Sequence, residues 1–105
     1  MVWYKDLYVG RLIAARMDSV IESIDRGDYP PGVYVVLVPE NENNQLEIMS
    51  AKELRHAYVR EHCRMIVGLG FSRTEAESMV EAIVRDVYAA RGDADIRAWL
   101  SEEHG

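Results

Sequence analysis

The sequence predicts an α/β domain: a small mixed sheet of three to four strands, with a parallel β-α-β crossover and helices packed on it. Three observations carry this expectation. Val33–Val38 (Val-Tyr-Val-Val-Leu-Val) is almost wholly β-branched or aromatic between Gly32 and Pro39, as a strand buried on both faces requires. Met65-Ile66-Val67 is a second apolar run, leaving through Gly68-Leu69-Gly70 into the helix-start signature Ser72-Arg73-Thr74-Glu75. Around both runs, apolar residues recur at helical spacing. At 105 residues the chain suffices for one core, so residues 1–105 are read as a single domain.

The elements follow in order. Trp3 to Val9 ends at Gly10 and reads as a short strand or a packed N-terminal arm. From Arg11 the pattern turns helical: Ile13, Met17, Val20, Ile21 and Ile24 share one face, Gly27 stops the helix, and Pro30-Pro31 forbid its continuation. After the 33–38 strand, Pro39 to Asn44 is a polar solvent loop. Gln45 to Met49 then alternates like a half-buried strand, paired antiparallel to the one before. A second capping box, Ser50-Ala51-Lys52-Glu53, opens a helix of about three turns through His62, with Leu54, Ala57 and Tyr58 on one face. Strand 64–69 follows. A connection of this length between strands 33–38 and 64–69 implies that they are parallel, joined by a right-handed crossover. Helix 73–91 carries a wide stripe of Ala76, Met79, Val80, Ile83, Val84, Val87 and Tyr88. Gly92 stops it, Asp93 caps a last short helix, and Ile96, Trp99 and Leu100 dock that helix back.

Composition narrows function. Twelve basic against eighteen acidic residues give a net charge of −6, which opposes binding to nucleic acid or an anionic membrane. No apolar run approaches the ~20 residues needed to span a bilayer. The first residues lack the basic and apolar regions of a signal peptide, and Cys63 is the lone cysteine, so the expected setting is cytoplasmic. Charge is uneven, however. Residues 51–64 hold Lys52, Arg55, Arg60 and Arg64 against Glu53 and Glu61, with His56 and His62 beside them.

Candidate chemistry is sparse. Gly68, Gly70, Ser72, Arg73 and Thr74 form a strand-to-helix turn whose backbone amides and side chains could receive a small anion. The glycines equally permit a tight turn, and the pattern is neither a dinucleotide fingerprint nor a Walker loop. His56, His62 and Cys63 lack metal-ligand spacing, so no metal and no cofactor is expected. Carboxylate pairs (Asp25/Asp28, Glu40/Glu42, Glu75/Glu77, Glu102/Glu103) sit on polar faces or loops, and no catalytic residue is assigned. Trp3, Tyr4 and Tyr8, so near the terminus, need a cover that the domain body or a partner chain supplies.

Trp3-Tyr4, Leu7-Tyr8-Val9-Gly10, Val33–Leu37, Leu46-Glu47-Ile48, Ile66-Val67-Gly68-Leu69, Glu75-Ala76, Ile83-Val84, Asp86-Val87-Tyr88 and Ile96-Arg97 together resemble a family of short bacterial proteins of about this length, found mainly among anaerobic Firmicutes. The resemblance covers nearly the whole chain. It implies a stand-alone cytoplasmic α/β domain and carries over no catalytic residue. A local likeness, Gly70-Phe71-Ser72-Arg73-Thr74-Glu75-Ala76, is similar to the turn of ubiquitin-associated helical domains, but here it follows a strand rather than a helix. The expected function is a non-catalytic protein-interaction or self-associating module, its partner a second copy (a homodimer) or another protein. The alternative is a binder of, or enzyme on, a small anionic ligand at the Gly68–Thr74 turn.

Overall fold

The computed structural model describes residues 1–41 and 43–101. Glu42, Glu102 and Glu103, expected on solvated surface, lie outside the described residues. The elements are β1 (Trp3–Val9), a 3₁₀ turn (Ala14–Arg16), α1 (Met17–Asp25), β2 (Tyr34–Pro39), β3 (Glu47–Ser50), a 3₁₀ turn (Ala51–Arg55), α2 (Ala57–Glu61), β4 (Cys63–Gly70), α3 (Arg73–Arg91) and α4 (Ile96–Ser101). One four-stranded mixed sheet runs in the order β1-β4-β2-β3, with β1 parallel to β4. No helix among the described residues is long and apolar enough to cross a membrane.

The pleat of β2 divides the core. Val36 and Val38 face Ala76, Met79, Ile83 and Val87 of α3 together with Ile96 and Leu100 of α4. Val35 and Leu37 face Ile13, Val20 and Ile24 on the N-terminal side, with Leu54. Alternate residues of one strand thus serve opposite layers, which explains why the 33–38 run carries almost no polar residue. β4 keeps the same division only by a register shift opposite Val36/Leu37, which sends Ile66 and Leu69 to the α1 layer and Val67 to the α3 layer.

The mixed sheet agrees with the sequence-based expectation, but the parallel pair is a different one. β2 and β4 are antiparallel, and strands 33–38 and 64–69 are not joined by a parallel crossover. The reason lies in β3. It hairpins back along β2, so the chain has already reversed when residue 51 is reached. Segment 51–62 therefore links β3 and β4, which run the same way on opposite sides of β2.

Segment 51–62 is also not one helix. Ala51 and Leu54 are both fully buried three residues apart, the spacing that a 3₁₀ turn stacks on one side. His56 is then extended (ψ 124°), which breaks the helix before α2. Arg60 Nη1 donates to the carbonyls of Leu54 (2.8 Å) and Arg55 (2.9 Å), satisfying groups the break would orphan. The break turns Tyr58 out to solvent, away from the Leu54 face expected for it.

Helix ends behave more simply. At α1 the Gly27 N–H donates to Ile24 O (3.0 Å) and the Asp28 N–H to Ser23 O (2.9 Å), a Schellman pair that needs the left-handed φ of 85° at Gly27. At α4 the cap is Asp95, whose Oδ1 accepts from Ala98 N–H (3.1 Å); Asp93 instead accepts from Asp95 N–H (3.0 Å). Ile96 and Leu100 dock as expected. The α3 stripe is narrower than expected, since Val84 and Tyr88 are exposed.

Candidate functional site

The strand-to-helix turn after β4 is built as its capping signature dictates. Ser72 Oγ accepts from Glu75 N–H (3.1 Å), and Glu75 Oε1 accepts from Phe71 N–H (2.9 Å). The Glu75 carboxylate lies against Gly10, where a Cβ would come within 1.8 Å of Oε1. An internal carboxylate thus occupies the position next to the α3 N-terminus that the sequence offers to an external anion.

The five residues assigned to that turn are only partly brought together. Gly68 and Gly70 pair with Val36 and Tyr34 inside the sheet. Their missing Cβ atoms leave room for Met79, whose Sδ would stand 3.0 Å from a Cβ at Gly68. Arg73 is exposed, its Nε 3.9 Å from Glu77 Oε1. Ser72 and Thr74 do line a groove of ≈ 500 Å³, together with Tyr8, Gly10 and Arg11.

The N-terminal aromatics are covered by their own chain. Tyr4 is 5% exposed and belongs to the α3-side core. Trp3 Nε1–H donates to Asp25 Oδ1 (2.9 Å), and the terminal ammonium stands 3.5 Å from the same oxygen. The Tyr8 hydroxyl donates to the Asp86 carboxylate. Burial first, and that bond to Asp86 next, push the Tyr8 hydroxyl well above its ordinary pKa. Between Trp3 and Tyr8 the register of β1 slips, with Lys5 and Asp6 exposed.

Among the described residues no hydrogen bond joins His56 or His62 to Cys63. His62 Nδ1 lies 2.8 Å from Tyr58 O, which makes Nδ1 the protonated nitrogen, since a carbonyl only accepts. The His62 ring stacks on Tyr58 with centroids 4.0 Å apart, and Nε2 is 4.0 Å from Glu40 Oε2. His56 Nε2 accepts from Arg55 Nε–H (3.3 Å). Burial pushes the Cys63 thiol up to about 11, which favours the protonated thiol at neutral pH. Among the described residues no three His, Cys, Asp or Glu side chains converge as a metal site would require.

No protein-family model, no curated protein and no solved structure matches this chain.

Two further polar residues with long reach were not singled out by the sequence. Gln45 donates through Nε2 to Ala94 O (3.0 Å) and accepts through Oε1 from Ile96 N–H (2.6 Å). Arg97 Nη2 donates to the carbonyls of Pro39 (2.6 Å), Asn41 (2.7 Å) and Asn44 (2.8 Å). Together they fasten the 39–46 loop to α4. The one sequence cue was the position of Arg97 directly after Ile96, in a short helix whose other long side chains, Ile96, Trp99 and Leu100, are apolar.

Proposed function

We propose that this chain is a non-catalytic interaction domain that pairs with a second copy through the β3 edge and the adjoining flank of α3. The observation that carries the reading is a pair of large apolar side chains, Val84 and Tyr88, left uncovered on one flank of α3. Ala76, Met79, Ile83 and Val87 face the sheet, and Ser78, Ala82 and Asp86 turn toward β1. Helical spacing then sends Val80, Val84 and Tyr88 to the opposite flank, above β3. Val84 is 37% and Tyr88 64% exposed.

Beside that flank, β3 is the outer strand and pairs with β2 in unbroken register from Glu47 to Ser50. Its second edge carries neither Lys nor Pro. The opposite edge, β1, has the slipped register and the exposed Lys5 and Asp6 that discourage pairing. Two β3 edges can pair antiparallel about a twofold axis, which lets the α3 flanks meet. Trp3, Tyr4 and Tyr8 suit an interface less well, because each is buried or bonded within its own chain. A reducing cytoplasmic setting suits the free thiol of Cys63.

Light scattering over a concentration series up to the millimolar range tests this. The expected result is a dimer that Tyr88→Glu converts to a monomer, with a melting temperature equal to that of the wild-type chain at dilutions where it is monomeric. A wild-type chain that stays monomeric throughout overturns the reading. The alternative, a small anion at the Gly68–Thr74 turn, requires displacement of the Glu75 carboxylate. It predicts that Glu75→Gln strengthens phosphate binding and Arg73→Ala weakens it.

A further inference from the structure

We propose that the cavity between α4 and the start of β4 binds a small amphipathic monoanion, an apolar body carrying one carboxylate-type oxyanion, with Arg97 and Arg64 as its charged partners. The cavity holds ≈ 550 Å³, within the size range of small-ligand sites, and Val2, Val38, Met65 and Leu100 form its apolar walls.

Arg97 supplies the reason for an anion. Its Nη2 is fully engaged by Pro39, Asn41 and Asn44, yet Nε and Nη1 are buried without a hydrogen-bond partner among the described residues. Buried donors on a cation are almost always paired, and leaving them unpaired costs more than for a neutral group. Arg97 is one of the residues that line the cavity, so the acceptor its buried donors lack is one that the cavity can deliver once the guanidinium turns toward it. Because Nε and Nη1 are shielded, binding includes a small turn of the guanidinium plane toward the ligand. Arg64, exposed on β4, lines the same cavity and adds a second positive charge.

The charge balance selects the ligand class. Asp95 also lines the cavity, with its Oδ1 committed to the Ala98 amide. Two cations against one carboxylate leave a single positive charge, which matches a monoanion better than a phosphate dianion. The apolar walls exclude a bare inorganic ion as the best fit. This site lies on α4 and β4, away from the β3 edge, so it stands independently of the self-association proposed above.

Octanoate is the probe. Titration calorimetry and amide chemical-shift mapping on the full chain are expected to show saturable one-to-one binding, with shifts centred on Met65, Arg97 and Leu100. Octanol, which has the body without the charge, should bind about tenfold more weakly or worse. Arg64→Gln should weaken octanoate binding about three- to tenfold while leaving the melting temperature unchanged, since Arg64 is exposed. Ala98→Trp, which fills the cavity, should abolish it. Absence of saturable binding, equal affinity for octanol or for inorganic phosphate, shifts centred elsewhere, or full affinity in both variants overturns the proposal.

Discussion

Gly10→Ala is expected to change sign with its background. In the wild-type chain a Cβ at residue 10 would sit 1.8 Å from Glu75 Oε1 and 2.1 Å from Cδ, so the carboxylate must move away. Moving it breaks the bond from Phe71 N–H, a hydrogen bond to a charged group worth about 1.5–3 kcal/mol. Gly10 has no positive φ, so alanine is conformationally acceptable there and gains about 0.4–1 kcal/mol by restricting the unfolded chain. The net expectation is a loss of about 1–2 kcal/mol.

Glu75→Ala removes the same bond and costs about 1.5–3 kcal/mol alone. In that background the three atoms nearest the new methyl group are gone, and Gly10→Ala should stabilise by about 0.4–1 kcal/mol. Urea unfolding of the four proteins of the cycle measures both steps. Equal cost of Gly10→Ala in both backgrounds would refute the claim that the Glu75 carboxylate occupies the space beside Gly10.

Two further outcomes are expected. Gln45→Ala removes both side-chain bonds to the α3–α4 connection and should cost about 1–3 kcal/mol, with faster hydrogen exchange at the Ile96 amide; protection unchanged at Ile96 would contradict it. Tyr8 has its folded pKa raised above the ordinary value near 10, so the folded state holds the hydroxyl proton more tightly than the unfolded state does. That contribution is complete below about pH 10 and fades as the pH rises beyond it. Melting temperature against alkaline pH should therefore fall less steeply in Tyr8→Phe, and identical slopes would refute the assignment.

Local signals in the sequence were reliable where the structure is local. The buried 33–38 run, the Gly27 stop and the Ser72–Glu75 cap depend on residues within a few positions of one another, and each formed as expected. The antiparallel pairing of the 45–49 strand with the 33–38 strand was legible, and the structure forms it. The direction of β4 against β2 was not, because it depended on carrying that reversal through the 51–62 connection rather than on any local signal. The break at His56 was hidden because Leu54 and Arg60 are placed by tertiary burial and a six-residue side-chain reach, not by helix propensity. Arg97 and Gln45 were missed for a plainer reason. Their partners lie 49 to 58 residues away, and no periodicity encodes such a distance.

The glycines at 68 and 70 show how one residue type carries two readings. Their place in the sequence suggests open amides for a ligand, whereas the sheet uses their amides and Met79 uses their bare faces. Packing density decides between the two, and it is a property of the assembled layers.

The parallel pairing of β1 with β4 sets a clock on synthesis. Trp3 is matched to Ile66, and β1 has no other strand beside it. At about 5–20 residues per second, β1 is made roughly 3–12 s before its partner. Until β4 exists, Trp3, Tyr4, Leu7 and Tyr8 lack the strand that will stand beside them. The order of synthesis and the order of the sheet thus differ: β1 is made before β2 and β3, yet it joins them only through β4.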